Sequence, residues 1–238
     1  MLGGTLSHHT QAAGNRPDRR GIAPFLLAAG LAVWIGASPL AGPSPASAAP
    51  PVPSSSGTGV EHFAILPFDS TVTYHVGETF FEENRFAVAV GTTHAVQGDV
   101  YVDRVHPGRS RIGPVTIDIS TFQSNSGRRD RAIRNRWLES SRYPTAEFTP
   151  TAIRGLPARY TDGQDIAVQV LGTLRVRDVT RPVTFAGTVR LAGDMMTGAV
   201  RTTILMTDFG FQPPEIFGTL KAENQVQLDL QFTAKRAA

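Results

Sequence analysis

From Val60 onward, apolar residues recur at every second position. Val72, Tyr74 and Val76 alternate with Thr71, Thr73 and His75. Phe86, Val88 and Val90 alternate with Ala87 and Ala89, and Val96, Gly98, Val100 and Val102 with Asp99 and Tyr101. The rhythm continues through 112–119, 146–149, 166–176, 183–191, 199–206 and 226–232. Period two sends successive side chains to opposite faces, so these segments predict about eight or nine strands. Gly, Pro and Asp punctuation predicts antiparallel neighbours, with hairpin turns at Asp162-Gly163 and Ala192-Gly193-Asp194. An all-β sheet of that width tends to curl and close, which removes its edges. Alternation alone does not separate a sandwich from a barrel. A barrel of about eight strands has a bore that takes side chains or one small ligand.

One segment breaks the rhythm. Residues 126–137 (SGRRDRAIRNRW) predict a helix capped by Asn125 or Ser126, with Ile133 and Trp137 four apart on one face. A short helical turn is also expected over 78–84.

The first 48 residues read as a secretory signal peptide. Arg16, Arg19 and Arg20 precede an apolar run over 22–35, and Ala46-Ser47-Ala48 offers small residues for a cut after Ala48. The expected address is periplasmic or secreted. The alternative is a membrane anchor through an uncleaved leader, because Gly36 to Ala41 would lengthen the run towards a span. Pro24, Pro39 and the Ala-x-Ala ending favour cleavage. Residues 49–62, rich in Pro, Ser and Gly, read as a flexible linker, which leaves 63–238 as the folded domain.

Composition narrows the chemistry. The formal net charge is +3, but three of the 23 Lys and Arg and one of the 20 Asp and Glu lie in the leader. The rest is near neutral and offers no global field for a nucleic acid. There is no cysteine, so disulfides, thiolate metal sites and Cys nucleophiles are excluded. His62, His75, His94 and His106 show no metal-ligand spacing, although His75 and His94 could approach across strands. No Gly-x-Ser-x-Gly elbow and no Walker or dinucleotide fingerprint occurs. Glu82 and Glu83 are adjacent rather than opposed, unlike a catalytic carboxylate pair. A non-enzymatic protein without metal or cofactor is expected.

Several stretches, taken in order, resemble the YceI-like family. They are Phe68-Asp69-Ser70-x-Val72, Val96-x-Gly98, Ile117-Asp118-Ile119-Ser120 and Arg128-Arg129-Asp130-x-x-Ile133-Arg134. Tyr143-Pro144-x-x-x-Phe148, Gly172-x-Leu174-x-Val176-x-x-Val179-Thr180-Arg181-Pro182-Val183 and Thr207-Asp208-Phe209-Gly210 follow. The resemblance implies an extended, lipocalin-like antiparallel β-barrel with one short helix in a long connection. It also implies an exported protein whose partner is a long-chain isoprenoid lipid, of polyprenyl quinone or polyprenol type, held for carriage or sequestration. This chain departs from the family pattern at Met206, where a basic residue is usual. It departs again over 77–84, which suggests a different barrel mouth.

Such a ligand makes almost no hydrogen bonds, so its affinity must come from apolar area removed from water, at about 25 cal/mol per Å². That calls for a dry bore with aromatic and aliphatic walls and a few polar groups at the mouth. The chain carries 13 Phe against 2 Trp. Tyr74, Phe86, Val88, Phe122, Ile133, Trp137, Phe148, Phe185, Phe209 and Phe211 are the candidate wall residues. The same residues would serve to fill a small barrel that binds nothing, which is the rival reading: a stress-related interaction module with a packed bore. Arg128, Arg131 and Arg134 recur every third residue along one side of the predicted helix. They are candidates for the head group or for transient contact with an acidic membrane surface, and otherwise form a solvated face. Asp130 pairs with Arg129 or anchors the helix to a turn. An enzyme acting on a lipid head group is the weaker rival, and a homodimer is compatible with the sequence.

Overall fold

The computed structural model describes residues 59–237, and the expected leader and most of the linker lie outside them. The strands are β1 (Val60–Ile65), β2 (Thr71–Phe80), β3 (Arg85–Thr93), β4 (Val96–Gln97), β5 (Asp99–Asp103), β6 (Arg111–Ile112) and β7 (Val115–Asp118). After β8 (Gln123–Ser124) comes the helix α1 (Gly127–Ala132), continued by a π-turn over Ile133–Trp137. The chain then runs through β9 (Thr145–Arg154), β10 (Asp165–Val176), β11 (Val179–Ala192), β12 (Met195–Leu205), β13 (Glu215–Ile216) and β14 (Leu220–Arg236).

All the strand pairs are antiparallel and belong to one sheet. β14 pairs along one edge with β12 and along the other with β2 and then β1. β1 and β2 are therefore one bent stave, broken where Pro67 opens a 3₁₀ turn over Pro67–Asp69 and the ladder loses an N–H. The strands β3, β4 and β5 form a second bent stave, and β6, β7 and β8 a third. Pairing runs from β5 through β1, β14, β12, β11, β10, β9 and β7 to β4. Only Gly98 separates β4 from β5, so the circuit returns on itself. The expected barrel is the architecture observed, and its closure hides strand edges that an open sheet would expose. Along Arg85–Val90, β3 has β2 as its one strand neighbour among the described residues.

The alternation dictates which side chains enter the bore. On β2 the inward residues are Val72, Tyr74, Val76, Glu78 and Phe80, opposite Leu230, Leu228, Val226, Ala222 and Leu220 of β14. Between Ala222 and Val226, β14 carries two more residues than β2. An even insertion preserves the parity, so the apolar face of β14 stays inward through the bulge.

Two expectations are corrected. The segment expected as a helical turn is extended: Glu78–Phe80 complete β2, and only Phe81–Asn84 turn, with Asn84 at φ 45°. Pairing to both β3 and β14 holds this segment in strand, and the Phe81 amide donates to the Thr219 carbonyl at 3.0 Å. The first described strand takes in residues just before 63: Val60, Glu61 and His62 pair with β5. Asp162-Gly163 turns within the longer β9–β10 connection, not at a tight hairpin, whereas the tight β10–β11 turn uses Arg177 at φ 57°.

The helix follows its sequence signals. The Ser126 hydroxyl accepts from the Arg129 amide at 3.3 Å, as an N-cap should. Asp130 is buried and accepts from both the amide (3.0 Å) and the hydroxyl (2.6 Å) of Ser124, which ties α1 to β8. At its far end Arg177 donates to the Trp137 carbonyl at 3.1 Å and pairs with Glu139 at 3.1 Å.

Candidate functional site

The inward faces do not meet at the barrel axis. They enclose a cavity of about 1080 Å³, lined mainly by aliphatic and aromatic side chains. On β14 alone Leu220, Ala222, Val226, Leu228, Leu230 and Phe232 all line it, which is roughly 35 Å of strand. β10 adds Ile166, Val168, Val170, Leu174 and Val176, and β12 adds Met196, Val200 and Ile204. These positions follow from period two on long strands of nearly constant parity.

Two glycines make room for wall aromatics. A Cβ on Gly91 would collide with the Tyr74 ring, and one on Gly172 with the Phe148 ring and the Thr149 carbonyl. Tyr74 then packs edge-on to Phe122 with ring centroids 5.3 Å apart, and Phe148 packs edge-on to Phe185 at 4.9 Å.

Polar groups gather at the two ends. At the α1 end the cavity wall includes Glu78, Ser126, Arg128, Arg129, Arg131 and Arg136. Arg129 bonds both carboxylate oxygens of Glu78, with Nη2 to Oε2 at 2.9 Å and Nε to Oε1 at 3.4 Å. Tyr74 lies below this pair. Burial pushes its phenol up to about 12, against the opposing charge of Arg129, so it stays protonated at neutral pH. The far end carries Asp103, Ser110 and Tyr160. Asp103 accepts the amides of His106 (2.7 Å) and Val105 (3.0 Å), which hold its carboxyl below the usual range. The Tyr160 hydroxyl donates to the Leu191 carbonyl. Among the described residues, no group of three or more His, Asp or Glu is placed to hold a metal ion.

The long apolar bore in an eight-stave barrel agrees with the comparison by sequence, in which the model of the YceI-like domain matches residues 63–234. The chain belongs to the YceI-like family. A UPF0312 protein of Pseudomonas putida is 29% identical to this YceI-like chain over 147 residues, covering 59% of this chain and 68% of that one. Protein YceI of Escherichia coli is 30% identical over 112 residues, 47% of this chain and 54% of its own length. Among solved structures, BcnA of Burkholderia cenocepacia shares the fold with a TM-score of 0.57 at 20% identity, covering 72% of this chain and 99% of that chain. A polyisoprenoid binding domain from Saccharophagus degradans, implicated in plant cell wall breakdown, shares it with a TM-score of 0.56 at 13% identity. There the coverage is 74% of this chain and 98% of that one.

The YceI-like bore gathers some of the candidate residues and leaves others out. Tyr74, Phe122, Ile133, Trp137, Phe148, Phe185 and Phe211 line the cavity. Ile133 and Trp137 reach it from the π-turn, and the Trp137 indole donates to the Gln212 carbonyl at 3.1 Å. Phe86 and Val88 do not line it: they point outward and are 58% and 52% exposed. The space inside β3 is taken by the Tyr74 ring above Gly91, so the small Ala87, Ala89 and Gly91 face inward. Phe209 is also off the wall. It is 1% exposed, packed in the core from a 3₁₀ turn over Met206–Phe209 that follows β12.

Of the candidate cations, Arg128 and Arg131 stand at the mouth, but Arg134 turns away and donates to the Phe122 carbonyl at 3.2 Å. The cation fixed against the cavity wall is Arg129, which the sequence assigns to local pairing with Asp130. Its partner Glu78 is 51 residues away, and nothing in the helix sequence announces it. Met206, where the family usually carries a basic residue, is part of the cavity wall.

Proposed function

We propose that this YceI-like protein is an exported carrier or sequestering protein for a long isoprenoid lipid of polyprenyl quinone or polyprenol type. The observation that carries this reading is the long apolar bore of about 1080 Å³, whose charged side chains lie at the ends apart from Asp229, a mid-wall residue with its carboxylate paired to His75 and Arg201. Each CH₂ removed from water contributes about 0.8 kcal/mol, so a multi-unit chain gains enough to offset the ordering of a flexible ligand. The polar end of the lipid sits at the Glu78–Arg129 mouth, where a charged pair can donate and accept. A wall without fixed cations along its length, Met206 included, suits a neutral hydrocarbon tail.

The fold shared with a polyisoprenoid binding domain supports the same ligand class. The rival of a packed, ligand-free module has no support from a bore this large. Catalysis on the head group would need a nucleophile beside a base, whereas the phenol nearest the mouth stays protonated at neutral pH. Export rests on the leader composition, and the N-terminal sequence of protein recovered outside the cytoplasm tests it, with Ala49 expected first.

Thermal denaturation with added polyprenyl quinone tests the binding. A ligand that binds the folded state at a hundredfold excess over its Kd stabilises by about 2.7 kcal/mol, which shifts the melting temperature by several degrees. An unchanged melting temperature across a quinone and a polyprenol series contradicts the reading.

A further inference from the structure

The cavity mouth carries apolar side chains that the bore does not use. Phe217, at the tip of the β13–β14 hairpin, is 97% exposed, and its neighbour Ile216 is half exposed. The β2–β3 turn places Phe81, also half exposed, beside this tip through the Phe81 amide and the Thr219 carbonyl. Neither Phe81 nor Phe217 lines the cavity, whereas Ile216, Glu215 and Phe80 next to them do. The two tips therefore form the outer lip of the opening.

The other side of the opening is α1 and its π-turn. Arg128, Arg131 and Arg136 are exposed there, line the mouth and make no salt bridge among the described residues. Acidic groups near the lip are fewer in effect. Glu83 is taken by Arg85 at 2.7 Å and Glu78 by Arg129, which leaves Glu82, Glu215 and Glu223.

We infer that this lip docks, mouth down, on an anionic lipid bilayer. The inference rests on the carrier reading, because docking serves a cavity that takes its lipid from a membrane. An exposed Phe costs little in water on a hairpin tip and gains by insertion among head groups and upper acyl chains. Each arginine near an acidic surface adds about fivefold to partitioning. With both on the rim, a hydrocarbon chain passes from bilayer to bore without crossing water. The opposite end also has exposed arginines without a salt bridge, Arg109, Arg154 and Arg159, but its exposed large apolar side chains, Val60, Val105 and Met195, include no aromatic ring, so the insertion element is found at the lip alone among the described residues.

The chain has no cysteine, so single thiols report position directly. Full-length protein carrying Glu82→Cys at the lip, or Val105→Cys at the far end, is labelled with a polarity-sensitive dye. Each is mixed with phosphatidylcholine vesicles, with or without phosphatidylglycerol. The dye at 82 is expected to shift to the blue on the anionic vesicles and the dye at 105 to remain in water. Phe217→Ser added to Glu82→Cys should weaken the response about tenfold in lipid concentration. Replacing Arg128, Arg131 and Arg136 together by Ser should remove the preference for phosphatidylglycerol. Equal shifts at both positions, or a lip response unchanged by the arginine variant, overturn the inference.

Organic extracts of the same preparations separate the two claims. Bound isoprenoid with a lip dye that stays in water overturns docking and leaves the carrier reading intact. A lip dye that inserts without bound isoprenoid supports docking and counts against the carrier.

Discussion

Arg129 grips Glu78 across 51 residues of sequence, joining α1 to β2 at the opening of the bore. Both side chains are largely shielded, so the contact is a fixed part of the mouth rather than a surface ion pair. Removing the arginine strands a shielded carboxylate. Arg129→Ala is expected to cost about 1–3 kcal/mol by urea denaturation, below the full figure for a buried pair because the arginine keeps some solvent. The double variant Glu78→Gln with Arg129→Ala should recover part of that loss. Equal stabilities for wild type and Arg129→Ala would show that the pair contributes nothing to holding the helix.

Burial of the Tyr74 phenol gives stability a pH signature. Its folded value is raised to about 12 from an ordinary 10.0. Between those values the unfolded chain releases the phenol proton and the folded protein keeps it, so stability falls as pH rises. The contribution is fully present below pH 10 and fades up to about 12, by roughly 2–3 kcal/mol in all. Urea unfolding of wild type and Tyr74→Phe at pH 9 and pH 11.5 checks this, with the steeper decline expected in the wild type.

Gly91 exists in β3 because the Tyr74 ring lies over it. Gly91→Ala should lower stability by about 1–3 kcal/mol through overpacking. Combining it with Tyr74→Leu should cost less than the sum of the two changes, as neighbours that share space do. Additive losses in thermal denaturation would contradict the packing described.

The outward parity of β3 separates surface from wall. Val88→Thr should change stability by no more than about 0.5 kcal/mol and leave lipid uptake unaltered. Val200→Trp, which projects into the bore, should weaken polyprenyl quinone binding by at least about tenfold, or about 1.4 kcal/mol. The check is a quinone titration of both variants by intrinsic fluorescence quenching.

How far this protein is legible from its sequence depends on the range of the interaction. Strand parity is local, so the inward Val96, Val100 and Val102 and the cap at Ser126 follow directly from neighbours in the chain. For β3 the same alternation is visible but its sense is not. The larger set, Phe86, Val88 and Val90, reads as the core side, and only the tertiary position of the Tyr74 ring reverses it. The arginine spacing on α1 defines a side of the helix without saying which residue meets a strand. That choice is made by Glu78, itself in a segment whose composition suggested a helical turn but which the β2–β3 and β2–β14 ladders hold straight. Phe209 sits beside a Gly with φ 76° in a 3₁₀ turn, and turns send side chains in directions that no period describes.

The claim on which all of this depends is that the bore holds a long apolar chain. Mass spectrometry of organic extracts from protein purified out of its producing cells addresses it most directly. The account predicts a polyisoprenoid species recovered in near-stoichiometric amount from the wild type and depleted in Val200→Trp. Extracts that repeatedly contain no long-chain isoprenoid, from protein shown to be folded, would contradict it.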